Sequence, residues 1–161
     1  MNSCLKPEHF ARKNLTVIIN NNLKVVKFMC GIFGLIYSKP RVRYFETLNK
    51  IVNDSFLMAE PRGREATGVA FNIGNEIHVL KDNMTASDFI KSTRYRIMFK
   101  GFFNDDKVEN NCFSVLGHCR LATHGLTSNL TNNHPIVMNE LVGIHNGIVT
   151  NLDEFITSAK K

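Results

Sequence analysis

Met29-Cys30-Gly31-Ile32-Phe33-Gly34 is the stretch around which the rest of the chain is organised. A methionine directly precedes a cysteine, and an apolar run continues through Leu35, Ile36 and Tyr37. If translation starts at Met29 and that methionine is removed, Cys30 becomes the first residue and carries both a thiol and a free α-amine. Such an amine titrates near pKa ~7.7–8.0 and can act as a base around neutral pH. One residue then supplies nucleophile and base together, the logic of N-terminal nucleophiles. The alternative is an ordinary buried thiol in a core strand, since free cysteine is among the most buried residue types.

The chain has 161 residues, enough for one domain with a sizeable core. Its apolar fraction of 43% is that of an ordinary globular protein. The formal charge of +6 is unevenly spread. Residues 1–29 hold Lys6, Arg12, Lys13, Lys24 and Lys27 against Glu8, a net of +4, which leaves +2 of mixed sign for the rest. There is no basic stripe interleaved with aromatics, so a nucleic-acid partner is not expected. Cys4, Cys30, Cys112 and Cys119 stand at irregular spacings, unlike a secreted disulfide framework, and the expected compartment is the cytoplasm. No apolar run approaches a membrane span.

Residues 1–28 read as a basic extension, a propeptide or a start assigned too early. Met29 stands where an initiator would, which favours the last of these. Residues 29–161 then form the domain. Within it, Cys30 to Tyr37 reads as a buried strand. Phe45, Leu48, Ile51, Val52, Phe56 and Ala59 recur at helical spacing, and Pro61 closes that helix. Arg62 to Gly68 reads as a polar loop leading to a strand at Val69-Ala70-Phe71. A hairpin follows, with its turn at Gly74-Asn75. A helix is expected over 85–99 and a polar loop over 100–111.

Cys112 onward reads as a strand that opens into a glycine turn at Gly125. Alternation sets His118, Arg120 and Ala122 on one face, with Cys119 and Leu121 on the other. An arginine in so apolar a strand calls for a bound anion or a fixed carboxylate. Asn132 to Ile136 reads as a rigid polar loop. Leu141 to Val149 reads as a strand broken at Asn146-Gly147, and Asn151 with Glu154 as the capping box of a last helix. The histidines and Cys119 lack zinc-ligand spacing, and no metal or cofactor is expected. Asn146-Gly147 reads as a hairpin turn, a bulge, or an oxyanion hole made by a side-chain amide and a backbone N–H.

Taken in order, four elements resemble the glutaminase domain of class II glutamine amidotransferases. They are Met29-Cys30-Gly31-Ile32-Phe33-Gly34, Arg62-Gly63-Arg64-Glu65-Ala66-Thr67-Gly68, Gly117 to Gly125 with Asn133-His134-Pro135, and His145-Asn146-Gly147-Ile148. The resemblance spans residues 29 to about 158. It implies an α+β fold, the four-layer αββα sandwich of N-terminal-nucleophile hydrolases, here lacking its C-terminal part. It also implies that Cys30 attacks the side-chain amide of L-glutamine while Asn146 and the Gly147 N–H hold the oxyanion. Arg120 would grip the substrate's α-carboxylate, with Leu121, Thr123 and His124 lining the same pocket. Ammonia would pass to an acceptor synthase domain or a separate chain.

Three departures from that pattern stand out. Leu121 occupies a position where many members have tryptophan. The chain ends before the acidic residue that holds the substrate's α-ammonium, and residues 1–28 would acylate the nucleophile's amine if retained. Two readings therefore compete with a working glutaminase: a catalytically silent fragment that binds glutamine or a partner chain, and a hydrolase for a different amide.

Overall fold

In a computed structural model, residues 29–37, 45–103, 112–122, 125–147, 151 and 157–158 are described. The elements are β1 (Gly31–Tyr37), α1 (Phe45–Ala59), β2 (Ala66–Ile73), β3 (Glu76–Asp82), α2 (Ala86–Phe89), α3 (Thr93–Phe103), β4 (Phe113–Arg120), β5 (Ile136–Met138) and β6 (Leu141–Gly143). The class is α+β. β1, β4, β2 and β3 form an antiparallel sheet in that order, and β5 pairs with β6 in a separate antiparallel hairpin. No helix among the described residues is long and apolar enough to cross a membrane.

One face of the sheet is packed. Leu48, Val52, Phe56 and Ala59 recur every three or four residues along α1, and all are buried. They meet Phe33 of β1, Val69 and Phe71 of β2, and Val115 and Cys119 of β4. The Phe33 and Phe56 rings meet edge-on at 4.7 Å. α3 adds Phe99, Phe102 and Phe103, whose rings gather around Phe71, and Tyr95, whose ring meets Phe56 and Phe89. Each such ring pair contributes about 0.5–1.5 kcal/mol beyond its buried area.

The expected elements needed several corrections. β1 is not a strand buried on both faces: Ile32 and Ile36 point away from α1 and are 49% and 82% exposed. Ile51, assigned to the apolar stripe of α1, is exposed because it sits one residue off the line of Leu48 and Val52. β2 starts at Ala66, three residues before Val69, because Ala66 and Thr67 already pair with Arg120 and Cys119. The helix expected over 85–99 is two helices. Thr85 caps the first, accepting from the Asp88 N–H at 3.3 Å, and the second runs on to Phe103, into the expected loop. Instead of continuing from Leu141 to Val149, the strand there ends at Gly143 and pairs with β5.

Other expectations held. Gly74, with φ 57°, supplies the left-handed turn between β2 and β3. α1 gives way at Glu60–Arg62 to a single 3-10 turn carrying Pro61. The N-terminal extension lies outside the described residues, and so does most of the expected last helix.

Candidate active site around Cys30

Register brings the first motif to the third. β1 is an edge strand, and Gly31 pairs with Cys119 of the inner strand β4, so Cys30 sits level with the end of β4. Gly31 has no room for a side chain, since a Cβ there would run into the Ala59 carbonyl and come 2.8 Å from the Ala59 Cβ. The start of β1 is thereby held against the end of α1. The Cys30 thiol then lies on the Leu121 peptide: Sγ accepts from the Leu121 N–H at 3.3 Å and donates toward its carbonyl at 3.6 Å.

The Cys30 carbonyl gathers two more donors. Asn146 Nδ2 donates to it at 2.6 Å and Arg62 Nε at 3.4 Å. Cys30, Leu121 and Asn146 are thus brought together from three distant parts of the chain. Gly147 follows Asn146 closely against the His145 ring, 2.9 Å from where its Cβ would be. Thr123 and His124 lie outside the described residues.

Arg120 is buried on the face away from α1, as alternation predicts, and Cys119 is buried on the α1 face. The Arg120 guanidinium donates to Asn133 Oδ1 at 2.6 Å and to the Gly125 carbonyl at 3.0 Å. Neither of these oxygens belongs to a carboxylate. Asn133, 1% exposed, is the fixed point of this region. Its Nδ2 donates to the Thr127 carbonyl at 2.7 Å, and its own carbonyl accepts Lys81 Nζ at 3.0 Å. Burial lowers the pKa of Lys81.

The histidine cluster noted in the sequence is partly real. The His118 and His134 rings lie 4.5 Å apart beside Arg120. His118 is 1% exposed, and neither of its ring nitrogens finds a well-formed hydrogen bond among the described residues. Burial first, then the charges of His134 and Arg120, push its pKa down to about 4, with the His145 backbone acting the other way. His134 is lowered as well, again chiefly by burial. Both imidazoles are neutral at pH 7.

The two free cysteines among the described residues differ in character. Burial, followed by the nearby Glu60 and Cys30, pushes the Cys119 thiol up to about 12, and its Sγ donates toward the Phe56 carbonyl at 3.8 Å. Cys119 is a packing residue, inert as a nucleophile. Cys30 is only half-buried, at a strand end.

Sequence reasoning gave no role to Glu65, Arg62 or Asn133. The Glu65 N–H donates to the Arg120 carbonyl at 3.1 Å, and its carboxylate accepts the Ala122 N–H, so Glu65 fixes the chain on both sides of Leu121. Gly63 packs so closely on Arg120 and Leu121 that a Cβ would come 2.6 Å from the Leu121 nitrogen. The Arg62 to Gly68 motif is legible as a motif, but its task of bracing the end of β4 depends on the strand end it packs against.

A half-buried thiol, a side-chain amide on its carbonyl and, at the end of β4, a buried arginine stand at one end of the sheet. Comparison with known proteins identifies the family: the chain is a homologue of the class II glutamine amidotransferases. It is 37% identical over 137 residues to glutamine–fructose-6-phosphate aminotransferase [isomerizing] 2 of Bos taurus, covering 76% of this chain and 18% of that protein. The Clostridium perfringens glutamine–fructose-6-phosphate aminotransferase is 32% identical over 129 residues, covering 78% of this chain and 18% of the relative. Amidophosphoribosyltransferase of Methanocaldococcus jannaschii is 32% identical over 130 residues, covering 78% and 24%. The chain therefore spans about a fifth of the length of the curated relatives it matches. No protein-family model and no solved structure matches it.

Proposed function

We infer that this chain hydrolyses the side-chain amide of L-glutamine to glutamate and ammonia, and that the ammonia is passed to a synthase domain or partner chain. Cys30 Sγ attacks the amide carbon, and its proton moves by way of the Cys30 α-amine to the departing nitrogen. The C–N bond breaks, ammonia leaves, and a γ-glutamyl thioester remains. Water then attacks the thioester, giving glutamate and restoring the thiol. Asn146 Nδ2 and the Gly147 N–H hold the oxyanion in both steps. Arg120 receives the substrate's α-carboxylate, and Leu121, Thr123 and His124 line the pocket.

The observation that carries this reading is the meeting of Cys30, Leu121 and Asn146 across separations of 91 and 116 residues. The finer architecture proposed with it is the four-layer αββα sandwich. In support, Ile32, Ile36 and Ile77 stand exposed on the sheet face away from α1, where a second sheet would cover them. A thiol-reactive glutamine analogue tests the function, read by intact mass on a chain beginning at Cys30. Labelling confined to Cys30, together with ammonia release from glutamine, supports it. A chain that stays unlabelled, or one that releases ammonia only from other amides, refutes it.

A second reading is a catalytically silent chain that binds glutamine or a partner. One observation favours it: with residue 29 in place, the Cys30 nitrogen is in a peptide bond to Met29 and the Asn146 donor is spent on the Cys30 carbonyl. Identical labelling of the chain with and without residues 1–29 would remove that objection.

A further inference from the structure

We propose that the helical layer carries a binding site for a phosphoryl group, in the cleft between α1 and α3. This cleft encloses about 400 Å³ and is lined by Asn49 and Asn53 of α1, Lys91 of the α2–α3 turn, and Tyr95, Arg96 and Lys100 of α3, with no carboxylate in its wall. None of the residues assigned to the glutaminase reaction lines it. The volume is that of an ordinary small-molecule site.

Hydrogen bonding within the wall forms a relay that ends on an amide donor. Tyr95 O–H donates to Asn53 Oδ1 at 2.8 Å, and Asn53 Nδ2 donates to Asn49 Oδ1 at 2.8 Å. Burial raises the pKa of the Tyr95 phenol, so it stays protonated and the relay keeps this direction. Each amide oxygen thereby accepts one hydrogen bond from within the wall, and the relay ends on the Asn49 amide N–H₂, a donor. Around it stand Lys91, Arg96 and Lys100, none of which has an ion-pair partner among the described residues. Arg96 and Lys100 sit four apart on one helix, a spacing at which like charges repel. Three cations and an amide donor, with no carboxylate in the wall, fit a compact anion rich in acceptor oxygens. The arginine fork and the lysine point charges both suit a phosphoryl group.

Titration calorimetry of the full chain with inorganic pyrophosphate tests the proposal. Binding is expected, weakened about tenfold or more by Arg96→Ala, which removes a charge-assisted contact. Asn49→Asp should weaken it similarly, because the aspartate keeps the acceptor for Asn53 but replaces the free donor with a negative charge. Lys50→Ala is the control; Lys50 pairs with Asp54 outside the cleft, and its loss should leave the affinity within about twofold. Thermal unfolding midpoints of the variants confirm that each is folded. Co-sedimentation with phosphatidylinositol-phosphate vesicles, lost in Arg96→Ala, would identify the source of the phosphoryl group as a lipid headgroup. Pyrophosphate binding without co-sedimentation would identify a soluble ligand. Binding of neither probe at millimolar concentration, or an equal loss in Lys50→Ala, overturns the proposal.

Discussion

Asn146 Nδ2 donates to the carbonyl oxygen of Cys30 at 2.6 Å, tying the Asn-Gly motif to the residue that carries the thiol. In the proposed reaction this donor turns from the nucleophile's own carbonyl to the developing oxyanion. Asn146→Ala should therefore lower kcat for glutamine by about 10²–10³-fold, the usual cost of one oxyanion donor, with a much smaller change in KM. Steady-state kinetics on a chain beginning at Cys30 separates the two. An effect on KM alone would make Asn146 a binding residue.

Cys30→Ser should abolish analogue labelling and reduce ammonia release by roughly a thousandfold or more. Cys119→Ser should leave labelling intact and lower stability by about 1–3 kcal/mol, since it places a hydroxyl in the apolar packing under α1. Intact mass after labelling and urea denaturation read the two outcomes.

Arg120 has a structural share in addition to its proposed grip on substrate. Arg120→Ala leaves Asn133 Oδ1 and the Gly125 carbonyl without their donor, at a cost of about 1–3 kcal/mol. The same variant should raise KM for glutamine more than it lowers kcat. Asn133→Ala should mimic the stability loss and raise KM less, because it removes one acceptor of the guanidinium without deleting the charge. Parallel kinetics and denaturation of both variants check this.

Acid should destabilise the fold through His118. Its pKa in the folded chain is about 4 against 6.5 for the free side chain, so the unfolded chain takes up the proton first as pH falls. The contribution is fully present above pH ~6.5 and is lost progressively down to pH ~4. At 1.36 kcal/mol per unit it amounts to at most about 3 kcal/mol. Urea midpoints at pH 7 and pH 5 should differ by less in His118→Phe than in the native sequence, and equal pH slopes would assign the effect to other groups.

Gly63→Ala tests the brace at the end of β4. The added methyl meets backbone rather than a movable side chain, so the Arg120-Leu121 segment must shift. A loss of about 1–3 kcal/mol is expected, together with weaker labelling of Cys30, whose thiol rests on that peptide. Unchanged labelling in a destabilised variant would separate the brace from the site.

Sequence alone determined the parts that depend on local periodicity and residue chemistry. The stripe of Leu48, Val52, Phe56 and Ala59 has the 3.6-residue period of a helix, and alternation in β4 set Arg120 and Cys119 on opposite faces. The Gly74-Asn75 turn follows from the need for a positive φ. The ordered motifs around Cys30, Arg120 and Asn146 were likewise readable, since each depends on residue type and neighbours. Tertiary structure decided what depends on pairing between distant segments. The start of β2 at Ala66 is set by partners on β4, and the exposure of Ile32 and Ile36 by which face α1 covers. Glu65 as the clamp beside Leu121 and the contact between Cys30 and Leu121 come from strand register, and Asn133 reaches Arg120 from the end of the 3-10 turn Leu130–Asn132. Between strands far apart in the chain, such as β1 and β4, no turn sets the register; it follows from which face of each strand is buried, a property of both partners together.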